Sequence, residues 1–316
     1  MTASDIKAQA KQLGFNACGI APAAAHPELA FFREWLDRGY AGEMAYLNRS
    51  ADRRADVRQV LPTARSVIVT ATNYNTDRPY STEIADPTRA RIARYAWGDD
   101  YHDVVGARMN TLLDWMRARS AEPFDARVYV DTGPVQERVY AQHAGIGWIG
   151  KNTCVIHPEI GSWIFLAEII CSLPLDVDAP ALDRCGTCTL CLEACPTQAI
   201  VAPFVLDSTR CISYLTIEKR GEIPAPLHEA LGSHVYGCDV CQEVCPWNAV
   251  APRSQDPAWQ PRAAWDHVSL LTLARRTDDE LAGALCESSM RRTKAQGLRR
   301  NVAIALANAE TAERRL

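Results

Sequence analysis

Eight of the twelve cysteines fall between residues 185 and 245, and their spacing is where this sequence could do chemistry. Cys185-x2-Cys188-x2-Cys191-x3-Cys195 runs directly into Pro196. That is the bacterial ferredoxin spacing, in which three thiolates hold one cubane and the fourth, ahead of the proline, reaches across to a second. Another set follows: Cys211 stands alone, then Cys238-x2-Cys241-x3-Cys245 again meets a proline, Pro246. Crossed ligation assigns Cys185, Cys188, Cys191 and Cys245 to one 4Fe–4S cluster, and Cys195, Cys211, Cys238 and Cys241 to the other. Each iron of a cubane takes one soft anionic ligand, and tight spacing lets one loop supply three. Structural zinc is the competing reading. Zinc sites pair CxxC units a dozen or more residues apart, and a run of three closed by Cys-Pro does not fit that pattern. Cys18, Cys154, Cys171 and Cys286 stand alone and read as small buried hydrophobes.

Three further constellations carry less. Asp131 ends a β-branched run and precedes Thr132-Gly133-Pro134 and a helical pattern. It is either a carboxylate favoured by a helix N-terminus or a proton donor at a sheet edge. The two readings conflict, because a helix N-terminus lowers a carboxyl pKa and a donor needs it raised. Gly145-x4-Gly150-Lys151-Asn152 nearly matches a phosphate-binding loop, but it ends in Asn where Ser or Thr is needed and follows a helix where a strand should be. Asp100-x-His102-x3-Gly106 is spaced one residue off a cobalamin-ligating Asp-x-His-x-x-Gly box, and YHDVVGARMNTLLDWM reads as a plain helix. No Rossmann fingerprint follows a strand.

The elements that must position these residues separate into three stretches. Residues 1–175 alternate helical and strand patterns. SVIVTATNY (66–74) and ARVYVDT (126–132) read as strands, and WIGKNTCVI with SWIFLAEIIC as a strand pair joined around residues 157–161. PVQERVYAQHAG reads as a helix with Pro134 at its first position and Gly145 at its end. The expected class is α+β: an N-terminal α/β domain with a mixed, largely antiparallel sheet, since the strand pair is too closely spaced for crossovers. Residues 176–255 form a ferredoxin-like two-cluster insert. Residues 256–316 form a short helical, HEAT-like segment, with Val268, Leu271, Leu281, Leu285, Leu298, Val302 and Leu306 marking two or three helices.

At this point RYAWGDDYH (94–102), DTGPVQERVYAQHAGIGWIGKNT (131–153), GSWIFLAEI (161–169), CISYLTIEKRG (211–221) and YGCDVCQEVCPWN (236–248) can be joined to the cysteine motif. In combination they resemble the epoxyqueuosine reductase family, from the first helix to about residue 310. The bicluster motif alone is widely shared; the DTGP–GWIGKN block with CISYLTIE is specific. The resemblance implies removal of the epoxide oxygen of epoxyqueuosine at the tRNA wobble position, leaving queuosine. It implies cobalamin in the α/β domain, reduced through the two clusters, and a low-potential electron donor of the ferredoxin or flavodoxin type. Asp131 matches the family's proton donor. Arg54, Arg94 or Tyr95, the stretch Asn152 to Val155, and Ser213 match the cobalamin pocket. The family often carries a longer helical tail, which implies fewer tRNA contacts here. A reductive dehalogenase or a non-catalytic electron-transfer protein would share the clusters; the former commonly carries an export signal.

The bulk composition agrees with a soluble protein. The chain has 316 residues, 47% hydrophobic and 23% charged, with a net charge of −4. Its N-terminus shows no export signal and no apolar run approaches a membrane span, so a cytoplasmic monomer with reduced cysteines is expected. Seven basic residues between 291 and 316 oppose Glu310 and Glu313, leaving a positive tail on an acidic body. That tail and Arg49, Arg53, Arg54, Arg58 and Arg65 are candidate phosphate contacts, or solvated helix faces.

Overall fold

A computed structural model describes residues 1–286 and 288–314. The chain opens with α1 (Ala3–Gln12), β1 (Ala17–Pro22), α2 (Pro27–Asp37), the short helices α3 (Ala45–Arg49) and α4 (Ala51–Ala55), and β2 (Ser66–Asn73). There follow β3 (Arg91–Ile92), α5 (Tyr101–Arg119), β4 (Ala126–Tyr129), α6 (Glu137–His143), β5 (Trp148–Ile149), β6 (Val155–Ile156) and β7 (Ile164–Cys171). The cysteine-rich stretch contributes α7 (Leu190–Glu193), β8 (Ile200–Ala202), β9 (Val205–Leu206), α8 (Ile212–Ile217), α9 (His228–Leu231), β10 (His234–Tyr236), α10 (Val240–Glu243) and α11 (Pro246–Ala249). Helices α12 (Leu270–Arg275), α13 (Asp278–Leu285) and α14 (Lys294–Glu313) close the chain.

The organising element is a four-stranded sheet in the order β1-β2-β7-β4, antiparallel throughout. Side chains alternate across a strand, so one sheet builds two cores. Ile68, Phe165, Ala167 and Ile169 face α1 and α5, packing on Ile6, Met109 and Leu112. Val67, Val69, Ala71 and Ile170 face α6, with Val139 and Tyr140. Each fully buried Ile, Leu or Met of this kind contributes about 1.5–3 kcal/mol. Glu168 shares the parity of Leu166 and Ile170 and therefore points to the α6 side. Gly19 on β1 lets that strand lie against the end of α6: a Cβ there would sit 1.9 Å from the Ala144 carbonyl oxygen.

Two details depart from the sequence expectation. WIGKNTCVI and SWIFLAEIIC are not partners as strands. β5 pairs with β6 in a hairpin of its own, and β7 enters the central sheet between β2 and β4. The turn at Lys151–Thr153, with Thr153 at φ 67, folds the first segment back on itself; only the His157–Gly161 bridge joins the two. Helix α6 starts three residues after Pro134, because the Val135 carbonyl is drawn out to Arg54 Nη1 (2.9 Å).

The C-terminal helices pack on one another, α12 and α13 both against α14, and together they pack on the cysteine-rich stretch. Leu270, Leu273, Leu281, Leu298 and Val302 share a core with Ile92, Val235 and Tyr236. Arg300 caps the end of α8, donating to the carbonyls of Leu215 (2.8 Å), Lys219 (2.9 Å) and Gly221 (2.6 Å). Those carbonyls have no partner within α8 itself. Among the described residues no helix is long and apolar enough to cross a membrane.

Candidate active site and cluster cavities

The eight motif thiols gather into two groups. Cys185, Cys188, Cys191 and Cys245 line one cleft of ≈ 390 Å³ with Leu190 and Trp247. Burial pushes the Cys191 thiol up to about 11, and Cys245, Cys185 and Cys188 add to the shift. Cys195, Cys211, Cys238 and Cys241 form the second group: Cys211 faces Cys195, and Cys241 faces Cys238 and Cys211. All twelve cysteines are free thiols. Short helices α7 and α10, each carrying the middle of a motif, pack side by side. Four soft sulfur donors around each of two centres suit a cubane cluster, whose iron would deprotonate thiols that burial otherwise keeps protonated.

The Gly145–Asn152 segment braces this arrangement. Lys151 Nζ donates to the carbonyls of Gly186 (2.7 Å) and Cys188 (2.9 Å) in the first cysteine loop. Asn152 is buried, and its Nδ2 donates to the Cys241 carbonyl (3.2 Å) in the second. Cys154, beside it, meets the Cys241 thiol. The β5–β6 hairpin thus ties the sheet to both cysteine groups.

Asp131 stands on the loop after β4 in the left-handed region, φ 57, a conformation Asp tolerates better than most residues. Two contacts hold it there. Its backbone N–H donates to Glu137 Oε1 (2.6 Å), and Gly133 lies against the Tyr129 ring, where a Cβ would come within 2.5 Å. The side chain remains 59% exposed, with Oδ2 3.3 Å from His102 Nε2. On the far side of that imidazole, Nδ1 lies 2.6 Å from Oδ1 of Asp100, the residue that caps α5 and is only 1% exposed. Arg291 Nη2 lies 3.3 Å from the other Asp100 oxygen.

Burial pulls the His102 imidazole down, but the hydrogen bonds to Asp100 and Asp131 outweigh it and push the group up to about 9. Desolvation in the cleft works against a charge on Asp131. The contact with His102, the Tyr101 hydroxyl and the charge of Arg138 prevail and hold that carboxyl below its ordinary range. Behind the loop the balance reverses. Glu168 is wholly buried, has no conventional hydrogen-bond partner for either oxygen, and is driven well up by burial and by the Glu137 charge. Glu137 is raised by burial and by Asp131.

The positions expected around a corrinoid divide unevenly. Arg54 reaches the Asp131 loop through Val135. Tyr95 stands edge-on to Tyr101 (6.1 Å), next to Asp131 and His102. Arg138 Nη1 donates to the Thr153 carbonyl (2.9 Å), linking the Asp131 side to Asn152–Val155, of which Asn152 and Val155 are themselves buried. Ser213 lies on α8 against Cys211. The backbone carbonyls of Val135, Thr153 and Cys241 join most of these positions along one rim, which suits a ligand gripped by shape. Arg94 does not belong to that rim. It is 2% exposed, donates to the carbonyls of Thr76, Arg78 and Pro79, and lies over Trp97 and Trp163. Its guanidinium is a strut between loops, so the position beside it, Tyr95, keeps the expectation.

Several candidate phosphate contacts are also internally engaged. Arg58 pairs with Asp56, Arg292 with Glu218 and Arg299 with Asp278, while Arg300 is inside the fold. Arg315 lies outside the described residues. The sequence reading passed over His102, Asp100, Glu137 and Glu168. Glu168 had a visible signal, an acid in the otherwise apolar strand IFLAEIIC. His102 had only its place after Asp100.

A pair of thiol-lined sites wired by one hairpin to a carboxylate–imidazole cleft marks an iron–sulfur oxidoreductase. Residues 184–248 match the family model for a 4Fe–4S double cluster binding domain, and residues 54–132 match "Epoxyqueuosine reductase QueG, DUF1730". The epoxyqueuosine reductase of Gloeobacter violaceus is 46% identical over 96% of both chains, and that of Xanthomonas campestris is 40% identical over 98% of this chain and 88% of its own. The crystal structure of an epoxyqueuosine reductase with an epoxyqueuosine-modified tRNA-Tyr stem loop superimposes with a TM-score of 0.86 at 31% identity. It covers 98% of this chain and 82% of that one. The chain belongs to the epoxyqueuosine reductase family.

Proposed function

We propose that this chain reduces epoxyqueuosine to queuosine at the wobble position of tRNA. The observation that carries the reading is near-full-length similarity to epoxyqueuosine reductases, one of them solved with the modified stem loop. The cysteine geometry supports Cys185, Cys188, Cys191 and Cys245 as ligands of one cluster, and Cys195, Cys211, Cys238 and Cys241 as ligands of the other. The rim of Arg54, Tyr95, Asp131, Asn152, Val155 and Ser213 would hold cobalamin, the cofactor of the family. Bound there, cobalamin supplies low-potential two-electron chemistry at the substrate, with the clusters relaying single electrons to it.

The chain's own residues do the rest. The hairpin at 152–155 joins the second cysteine group to the Asp131 side, through Asn152 on the Cys241 carbonyl and Arg138 on the Thr153 carbonyl. Asp131 projects into the cleft as the group that protonates the departing oxygen. Glu137 fixes the backbone of Asp131, and the stacked Tyr101 and Phe165 (4.4 Å) form the wall behind His102. The wobble base must leave the anticodon stack to reach this cleft, as loop nucleotides do when proteins modify them. Arg49, Arg53 and Arg65, which hold no side-chain ion pair among the described residues, are the phosphate contacts on this reading. The protein works as a cytoplasmic monomer drawing electrons from a ferredoxin- or flavodoxin-type donor.

The test is anaerobic turnover. Protein with clusters and cobalamin, a low-potential reductant and epoxyqueuosine-containing tRNA are mixed, and the digested nucleosides are weighed by mass spectrometry. Loss of one oxygen mass that depends on cobalamin is the expected result. No conversion by fully loaded protein would overturn the assignment.

A further inference from the structure

The cleft contains an acid–base arrangement that the sequence expectation for Asp131 alone does not use. Both ring nitrogens of His102 face carboxylate oxygens, Asp100 Oδ1 at 2.6 Å and Asp131 Oδ2 at 3.3 Å. A neutral imidazole carries one N–H and can satisfy only one of two carboxylates; the imidazolium satisfies both. The Asp100 side chain is sealed from solvent, whereas His102 keeps 25% exposure and Asp131 59%. The order from interior to cleft is therefore anchor, proton carrier, delivery group.

We propose that His102 stores the proton that Asp131 passes to the departing oxygen, with Asp100 fixing the imidazole so that its Nε2–H points at Asp131. This rests on the reading of Asp131 as the group that meets the substrate. It also removes the conflict in that reading, since Asp131 is held ionised at rest and has no proton of its own to give. Opening an epoxide and leaving a carbon–carbon double bond breaks two C–O bonds, consumes two electrons from the low-potential donor and two protons, and releases the oxygen as water. As the first C–O bond breaks, the oxygen takes a proton through Asp131 from His102 Nε2. The imidazole recovers a proton from solvent at its exposed edge. The second proton follows the same route as the second bond breaks and water leaves.

The charged and titratable groups around the pair come from every neighbouring element. Asp100 and Tyr101 lie at the start of α5, Glu137 and Arg138 on α6 beside Asp131, and Arg291 on the 289–293 turn against Asp100. The Asp131 charge also reaches Tyr46 on α3, Arg54 on α4, Tyr95 and Arg292, and the Asp100 charge reaches Tyr236 on β10. At His102 itself the two direct carboxylate contacts outweigh the cost of burial.

Two measurements test the proposal. In the resting protein, a histidine 15N NMR titration should find His102 doubly protonated until about pH 9, and Asp100→Asn should bring that transition down towards the ordinary histidine value. In the loaded enzyme acting on tRNA, wild-type turnover should fall as pH rises through the same transition. His102→Gln should lose about 10²-fold at pH 8. Its remaining activity should be confined to lower pH, because Asp131 must then take its proton from solvent. A His102 that titrates as an ordinary histidine, or an unmoved alkaline limb in His102→Gln, overturns the proposal. If Asp131→Asn is inactive while His102→Gln keeps its alkaline limb, Asp131 stands and His102 falls. Wild-type turnover in Asp131→Asn removes both.

Discussion

Glu168→Gln should stabilise this protein, and by an amount that grows with pH. Glu168 sits in the central strand β7 with no exposed surface and no conventional partner for either oxygen, and its folded-state pKa lies well above the ordinary carboxyl value. The sign follows from proton linkage. A carboxyl that holds its proton more tightly when folded favours the fold at low pH, and that advantage is lost as pH climbs from the unfolded value, about 4.3, towards the raised folded one. As pH climbs through that window the wild type should progressively lose stability that the variant keeps, at a limiting slope of about 1.4 kcal/mol per pH unit. Glutamine has nearly the same shape, does not titrate, and offers an N–H where the neutral acid offers an O–H towards Glu137. At roughly 2 °C per kcal/mol for a chain of this size, the unfolding midpoints should separate steadily as pH rises across that range. Thermal unfolding of both proteins in matched buffers at each pH is the assay. Parallel pH profiles would refute the reasoning, because they would mean Glu168 ionises in the folded protein as it does in water.

Other consequences can be checked with single variants. Cys191→Ala should lose one cluster and retain about half the iron by colorimetric assay; full iron would dismiss its ligand role. Arg300→Ala should cost about 2–3 kcal/mol in unfolding experiments, since three carbonyls lose a charged donor, without altering the salt dependence of tRNA binding. Arg53→Ala, by contrast, should leave stability unchanged and lower the slope of log affinity against log salt by about 0.7–1; an unchanged slope would clear that residue of phosphate contact.

The sequence made some parts of this molecule legible and hid others for physical reasons. The cysteine spacing was readable because ligation of a cubane constrains loop length directly, and the grouping of Cys245 with Cys185, Cys188 and Cys191 is already implied by the crossed pattern. The strands at 66–73 and 164–171 were readable because β-branched residues buried on both faces leave a near-continuous apolar run. The partner of β7 was not, since a turn at Lys151–Thr153 gives WIGKNTCVI a local alternative that pattern alone cannot rank. The internal bonding of Arg94 was hidden for a related reason: the resemblance transfers a position, while the direction of a guanidinium depends on carbonyls at 76–79 that converge only in the fold. The basic tail shows the same limit, because net charge cannot reveal that Arg300 faces inward. His102 was hidden most completely. Its character comes from Asp131, 29 residues away, and one residue of spacing turned attention from Asp100 and His102 to a plain helix.

In the proposed reaction, reduction depends on Asp131 as the group that hands a proton to the substrate oxygen. The direct measurement is single-turnover conversion of epoxyqueuosine-containing tRNA by wild type and Asp131→Asn, with iron and cobalt quantified in the same samples. Equal iron and cobalt in both proteins are expected, with conversion slowed by at least about 10²-fold in the variant. Equal conversion rates at equal metal content would contradict that dependence.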